Sequence, residues 1–367
     1  MKLRLSSRER LLTAFLLEEP DIVPVSVRVG GISIPWMSEA GILEYVMRNS
    51  DVIWRTGIPG ANIFFTRSVK IQVEDRLEDG IHYYRVETPK GVLTSTTKDT
   101  MKGKPYVGSW TLKYFIETEE DVEKFLSIPY SPCIPNFEQF LKNKRFLGDR
   151  GVMVIGISDP VGVIGELFPL HKLIQYCVNR TSLIKGLLNL MFERIYDYLE
   201  RILKIDEDFI VEISGPELVA PPFLHPRFFD ELVVEYDKRL VKLIHQHSRL
   251  AFMHCHGKVN SLLERIADIG VDGLHPLEPP PSGDVDLADA KKRIGNRMCI
   301  IGNVQLDDLT RCGRRELEEK CINAIRQAAP GGGYVLEPTA TPLPDTPIEN
   351  IVAFIKAGRR YGSYSLI

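Results

Sequence analysis

The sequence lacks the features that would place it in several large classes. No apolar run reaches the roughly 18 residues that a membrane-spanning helix needs, so no membrane span is expected. Neither sign of charge is in excess: 46 Lys and Arg face 49 Asp and Glu, a formal net charge of −3. That leaves no basic footprint for nucleic acid and no polybasic membrane anchor. Six cysteines (Cys133, Cys177, Cys255, Cys299, Cys312 and Cys321) are scattered through 367 residues with no Cys-x-x-Cys pair, which argues against a disulfide framework. No Gly-x-Gly-x-x-Gly follows any apolar run, which weakens a dinucleotide fold. The opening Met-Lys-Leu-Arg-Leu-Ser-Ser-Arg-Glu-Arg carries charge where a signal peptide carries its apolar stretch. A cytoplasmic protein with reduced thiols is the expectation.

With 44% hydrophobic and 26% charged residues, the composition suits an ordinary globular chain. Two regimes follow one another. Up to about residue 145 the pattern is irregular. It opens with a short helix in which Ser6 and Glu9 fit a capping box ahead of Leu11, Leu12 and Phe15. Val23–Val27 is a candidate strand. Residues 69–74 alternate, Glu78-Asp79-Gly80 reads as a turn, and residues 81–97 alternate again with a turn at Gly91, so a β-hairpin or meander is expected. Leu112 to Leu126 reads as helical, and 129–137 as a linker.

From about residue 150 short β-branched runs alternate with amphipathic stretches. The runs are Val152–Ser158, Phe209–Ser214, Leu250–His254, Val271–His275, Met298–Gly302 and Tyr334–Glu337. Between and after them lie the helical patterns 171–203, 227–247, 259–269, 314–328 and 347–358, the last with Thr346 as cap and Pro347 in its first turn. Six strand–helix alternations imply right-handed βαβ units and a parallel sheet. A closed (β/α)8 TIM-type barrel fits best, with the N-terminal region supplying two more strands and carrying a hairpin extension. The whole chain, 1–367, is expected to be a single barrel domain, with 1–145 as its N-terminal segment and 150–367 as its main repeats.

In such a barrel the reactive groups collect at the C-terminal ends of strands. Those ends offer Ser158 and Asp159; Glu212, Ser214 and Glu217; His254 and His256; His275 and Glu278; Asn303 and Gln305; Glu337 and Thr339. In Met253-His-Cys-His-Gly257 the two imidazoles stand two apart, so on a strand they share a face and could hold Zn2+. A carboxylate would complete the set, from Glu337, Glu278 or Glu212, with Cys255 facing away. Alternatively one imidazole braces a loop and the other is a neutral acid–base group. Glu278 lies in the stiff loop His275-Pro-Leu-Glu-Pro-Pro-Pro. Glu212, Glu278 and His256 are the candidates for acid–base work. Asn303 and Gln305, on one face of a strand, suit a polar ligand, as do Arg28 and Asp159. The other cysteines read as packing residues.

Several segments together resemble the uroporphyrinogen decarboxylase superfamily. They are Arg8-Glu-Arg-Leu-Leu-Thr-Ala-Phe with Glu19-Pro-Asp-Ile-Val-Pro-Val, the stretch from Gly215 through Pro226 and Tyr236 to His254–Gly257, then Gly302-Asn-Val, then Gly333-Tyr-Val-Leu and Asp345-Thr-Pro-Ile-Glu-Asn-Ile. The resemblance covers nearly the whole chain and implies a distorted (β/α)8 barrel. True decarboxylases of the family carry Arg-Gln-Ala-Gly-Arg after the opening, whose arginines grip substrate carboxylates. Here Ser26-Val-Arg28-Val-Gly-Gly stands there with one arginine. The hairpin with Glu87-Thr-Pro-Lys-Gly-Val-Leu is more similar to the cobamide-dependent methyltransferases. That branch holds zinc with a His-x-Cys…Cys set that ionises a thiol acceptor. In this chain His256 stands at the first Cys position and Ala340 at the second. The resemblance therefore implies a methyltransferase that moves a methyl group between a corrinoid, free or borne on a partner protein, and a small acceptor. Zn2+ would sit on His254, His256 and Glu337 or another carboxylate. A decarboxylase, a metal hydrolase using His-x-His to activate water, and a non-catalytic corrinoid-binding module are the alternatives.

Overall fold

The computed structural model of the chain describes residues 4–31, 33–76, 80–100 and 108–365. The expected turn at Glu78 and Asp79 lies outside them. The architecture is α/β. Eight strands form one parallel sheet in the spatial order β1 (Val29–Gly30), β2 (Val52–Thr56), β7 (Gly151–Ser158), β8 (Ile210–Ser214), β9 (Leu250–Cys255), β10 (Gly273–Pro276), β11 (Cys299–Val304) and β12 (Tyr334–Pro338). Residues just ahead of β1 turn to the far edge of that sheet. Val25 forms a parallel bridge with Leu336, Ser26 N–H donates to Leu336 O and Leu336 N–H to Pro24 O, each at 2.9 Å. The sheet thus curls until its two edges meet, as in a TIM-type barrel. The expected strand at Val23–Val27 is present as this single bridge, with the regular pairing moved to Val29–Gly30.

Alternation along the strands sorts the barrel interior from its coat. Ile53, Val152, Val154, Ile210, Phe252, Cys299, Ile301 and Val335 turn inward. Their neighbours in the chain, such as Met153, Val211, Met253, Ile300 and Leu336, pack outward against the helices. The floor is plugged by the helix Ser7–Phe15, whose Leu11, Ala14 and Phe15 join the inner cluster. Its start is the expected capping box: Ser6 Oγ accepts from Glu9 N–H, and the Glu9 carboxylate accepts from Ser6 N–H.

A second sheet lies in the N-terminal region, antiparallel in the order β3 (Ile71–Arg76), β4 (Ile81–Thr88), β5 (Gly91–Asp99) and β6 (Ser109–Lys113). Three local readings need correction. Leu112–Leu126 is not one helix: Ser109–Lys113 joins the antiparallel sheet, and a Thr118/Asp121 capping box starts the helix at Glu119. The pattern 171–203 is broken at Arg180, whose φ of −136° and ψ of 40° leave the helical region between Leu170–Asn179 and Thr181–Leu203. Thr346 does not cap the last helix, Ile348–Tyr361. Its Oγ accepts from Leu343 N–H instead, and Pro347 takes the cap position.

Candidate active site

Going up the barrel, the inward positions change from apolar to polar by strict steps of two. Ile53 is followed by Arg55, Ile210 by Glu212, Phe252 by His254, Gly273 by His275, Ile301 by Asn303 and Val335 by Glu337. The register keeps these at similar heights: His275 pairs with His254 across β10 and β9, and Asn303 with Glu337 across β11 and β12. One more group arrives from outside a strand. Arg28, just before β1, has φ +48°, a left-handed value that non-glycine residues seldom adopt, and its side chain turns into the mouth. Gly30 permits the close packing here, since a Cβ on it would lie 2.1 Å from the Arg55 carbonyl oxygen.

Two arginines and two glutamates form the centre. Arg55 Nε donates to Glu212 Oε2 at 2.5 Å and its Nη1 to Glu337 Oε1 at 2.8 Å, while Arg28 Nη2 donates to Glu212 Oε1 at 3.1 Å. The Arg55 guanidinium also lies over the Phe252 ring, 5.5 Å from its centroid, a cation–π contact that helps bear the buried charge. Burial by itself would raise the pKa of Glu212, but Arg28 and then Arg55 outweigh it and hold the carboxyl well below the ordinary range. The four charges sum to zero. Arg55 Nη2 and Glu337 Oε2 are buried with no hydrogen-bond partner. Arg28, Gly30, Arg55, Gly156, Glu212 and Thr341 line a cavity of about 300 Å3 over this network, and Gly156 contributes no side chain to fill it.

The histidines sit against the network. The rings of His254 and His275 meet edge to edge, with centroids 4.9 Å apart, planes 15° from parallel and their Nδ1 atoms 2.7 Å apart. Arg28 Nη1 is 3.1 Å from His275 Nδ1 and 3.4 Å from His254 Nδ1. Desolvation, then Arg28, lower the pKa of both rings well below the usual histidine value, so both are neutral near pH 7. His256 lies edge-on to His254 at 4.6 Å; its Nδ1 is 3.1 Å from Glu278 Oε2, which also accepts from Gly257 N–H at 2.8 Å. Cys255, between the two imidazoles, is buried.

The sequence-selected residues thus divide. Arg28, Glu212, His254 and Glu337 come together in one network, with His256 and Glu278 beside it. Asp159 does not face a ligand: it is fully buried and caps the helix Pro160–Leu167, its Oδ1 accepting from Gly162 N–H at 2.6 Å. Asn303 and Gln305 are spent on the proline loop. Asn303 Nδ2 donates to Leu277 O, and Gln305 Nε2 to Pro279 O and Pro280 O. The ligand trio His254, His256 and Glu337 is not assembled either, because Glu337 is turned to Arg55. Among the described residues no three His, Cys, Asp or Glu side chains come together to hold a metal ion. The donor set therefore does not fit a three-ligand zinc centre.

Sequence reading missed Arg55 altogether. The run Val52-Ile-Trp-Arg-Thr is a β-branched and aromatic strand signal too short to stand out in an irregular region. It also left His275 without a role.

The profile of the uroporphyrinogen decarboxylase (URO-D) family matches residues 112–361, and the chain belongs to that family. It is 27% identical over 206 residues to the methylcobamide:CoM methyltransferase MtaA of Methanosarcina barkeri, covering 56% of this chain and 57% of the relative. The chain therefore matches little more than half the length of that curated relative. It is 28% identical over 257 residues to the uroporphyrinogen decarboxylase of Trichodesmium erythraeum, covering 68% of this chain and 69% of that protein. Among solved structures a methyltransferase from Methanosarcina mazei has the same fold, with a TM-score of 0.66, 18% identity and coverage of 97% and 99%.

Proposed function

We propose that this barrel is a methyltransferase that moves a methyl group between a corrinoid, free or carried by a partner protein, and a small acceptor bound at the mouth. The observation that carries the reading is the pairing of neutral imidazoles with a charge-balanced Arg–Glu network. Methyl transfer from a corrinoid to a thiol breaks the cobalt–carbon bond with its electron pair left on cobalt. The methyl group goes to sulfur, and the thiol proton must go to a base. Neutral His254 offers that base, and His256, held against Glu278, stands beside it. Glu212, held ionised by two arginines, is no proton donor and serves to fix those arginines. Zinc is given no step, since its ligands are not assembled. The similarity to a methylcobamide methyltransferase supports the corrinoid as donor.

One observation favours decarboxylation as a second reading: two arginines, not one, reach the mouth. Both are already neutralised by Glu212 and Glu337, however, so little positive charge is left for a polycarboxylate. The test is to mix the purified chain with methylcobalamin and a panel of thiols and follow loss of the methyl–cobalt absorbance and formation of the methyl thioether. No transfer to any thiol, together with coproporphyrinogen formation from uroporphyrinogen, would replace the first reading by the second.

A further inference from the structure

His275 is buried beside His254 at the centre of the site, and its contacts leave little choice about where its protons are. Its Nε2 is 3.1 Å from the carbonyl oxygen of Pro338. A carbonyl only accepts, so Nε2 carries a hydrogen. Its Nδ1 is 3.1 Å from Arg28 Nη1. A guanidinium only donates, so Nδ1 carries none. The same Nδ1 is 2.7 Å from His254 Nδ1, a separation that holds one hydrogen between the two nitrogens. That hydrogen belongs to His254: Arg28 Nη1 also approaches His254 Nδ1, but at the longer distance of 3.4 Å, and only His275 has its other nitrogen on a carbonyl.

We infer that His275 is a positioning residue that locks His254 in the Nδ1–H tautomer and leaves Nε2 of His254 as a lone pair. The relay runs from His254 Nδ1–H to His275 Nδ1, and from His275 Nε2–H to the backbone of Pro338. Arg28 both donates to His275 and, by its charge, opposes a second proton on either ring. His256 is held in the same sense by a different device: its Nδ1 faces a carboxylate oxygen of Glu278, an acceptor when ionised, so its Nε2 is also free of hydrogen while the ring is neutral. Two imidazoles of one strand end are thus tied back through Nδ1, one to a buried histidine and one to a carboxylate. Holding the rear nitrogen is how proteins set the orientation and basicity of a working imidazole. The use of His254 Nε2 to take an acceptor's proton rests on the methyl-transfer reading; the tautomer itself rests on the contacts alone.

The test is long-range 1H–15N correlation on the full chain labelled with 15N-histidine. Wild type is expected to show His254 as Nδ1–H and His275 as Nε2–H. His275→Leu removes the acceptor and is expected to return His254 to Nε2–H and to lower kcat by about 100-fold with KM nearly unchanged. His275→Gln offers an amide oxygen to His254 and an amide N–H to Pro338, and is expected to keep the Nδ1–H form and recover most of the rate. A wild-type spectrum with His254 as Nε2–H overturns the inference, even if His275→Leu fails to fold; so does an unchanged His254 tautomer in folded His275→Leu. Correct tautomers in a protein that transfers no methyl group would sink the proposed activity and leave the relay standing.

Discussion

Arg55 and Glu337 form an ion pair across the seam of the barrel, Nη1 to Oε1 at 2.8 Å. Arg55 belongs to β2 and Glu337 to β12, the strands on either side of the short stretch that closes the sheet. The Glu337 carboxylate is fully buried, and its partner supplies the charge that makes that burial tolerable.

Removing this arginine should therefore be costly. Arg55→Met leaves Glu212 with one cation and Glu337 with none, and is expected to lower stability by about 3–5 kcal/mol, read from urea unfolding. Loss below 1 kcal/mol would mean that water already reaches Glu337. Converting the whole set, with Glu212→Gln and Glu337→Gln added, should recover much of the loss, because no charge is then left unpaired.

Stability should fall on both sides of neutrality, for opposite reasons. Glu212 has a folded pKa below its unfolded value, so its contribution is full above the unfolded value of about 4.3 and is lost as pH falls. Asp237 behaves in the reverse way. Burial, with neither carboxyl oxygen hydrogen-bonded, raises its pKa to about 8, so its protonated form supports the fold fully below about pH 4 and progressively less up to pH 8. Asp237→Asn is expected to raise the unfolding midpoint at pH 8 and change it little at pH 4. Equal effects at both values would show that Asp237 is ionised in the fold.

Gly30→Ala tests the packing behind the arginines. The added Cβ meets a backbone oxygen, and φ is +147°, so the chain must shift; a loss of about 2–4 kcal/mol is expected. A melting temperature within a degree of wild type would refute the close approach.

Metal content is a separate check. With Glu337 held by Arg55, zinc measured by mass spectrometry on the purified chain should be well below one per chain, and chelator dialysis should leave melting unchanged. One tightly held zinc per chain would require Glu337 or another carboxylate to leave its arginine.

The six strands from Gly151 to Pro338 were readable because each combines β-branched residues with a polar end, and the helices between them are long enough to show their period. The polar ends also marked His254, Glu212 and Glu337 as site residues. What the sequence could not convey was partnership. Asn303 looks like a ligand-binding amide until the proline loop folds over it, and Asp159 looks like a rim residue until it is seen capping its helix. Arg55 was hidden by the brevity of β2. The zinc set meets a related limit: a His-x-His spacing fixes which face the imidazoles share, but not that Glu337 will be turned to Arg55.

The bridge from Val25 to Leu336 has a consequence for how the molecule is made. Its two halves are residues 25 and 336, so every strand between them has been made before the seam can form. Contacts of such long sequence separation are slow to gain, and the entropy of closing so large a loop is met only when the last strand arrives. Until then Arg55 has only one of its two carboxylates. The mouth is therefore the last part of the barrel to close, and a nascent chain cut short before β12 would carry His254, His256 and His275 without the Pro338 carbonyl that anchors the last of them.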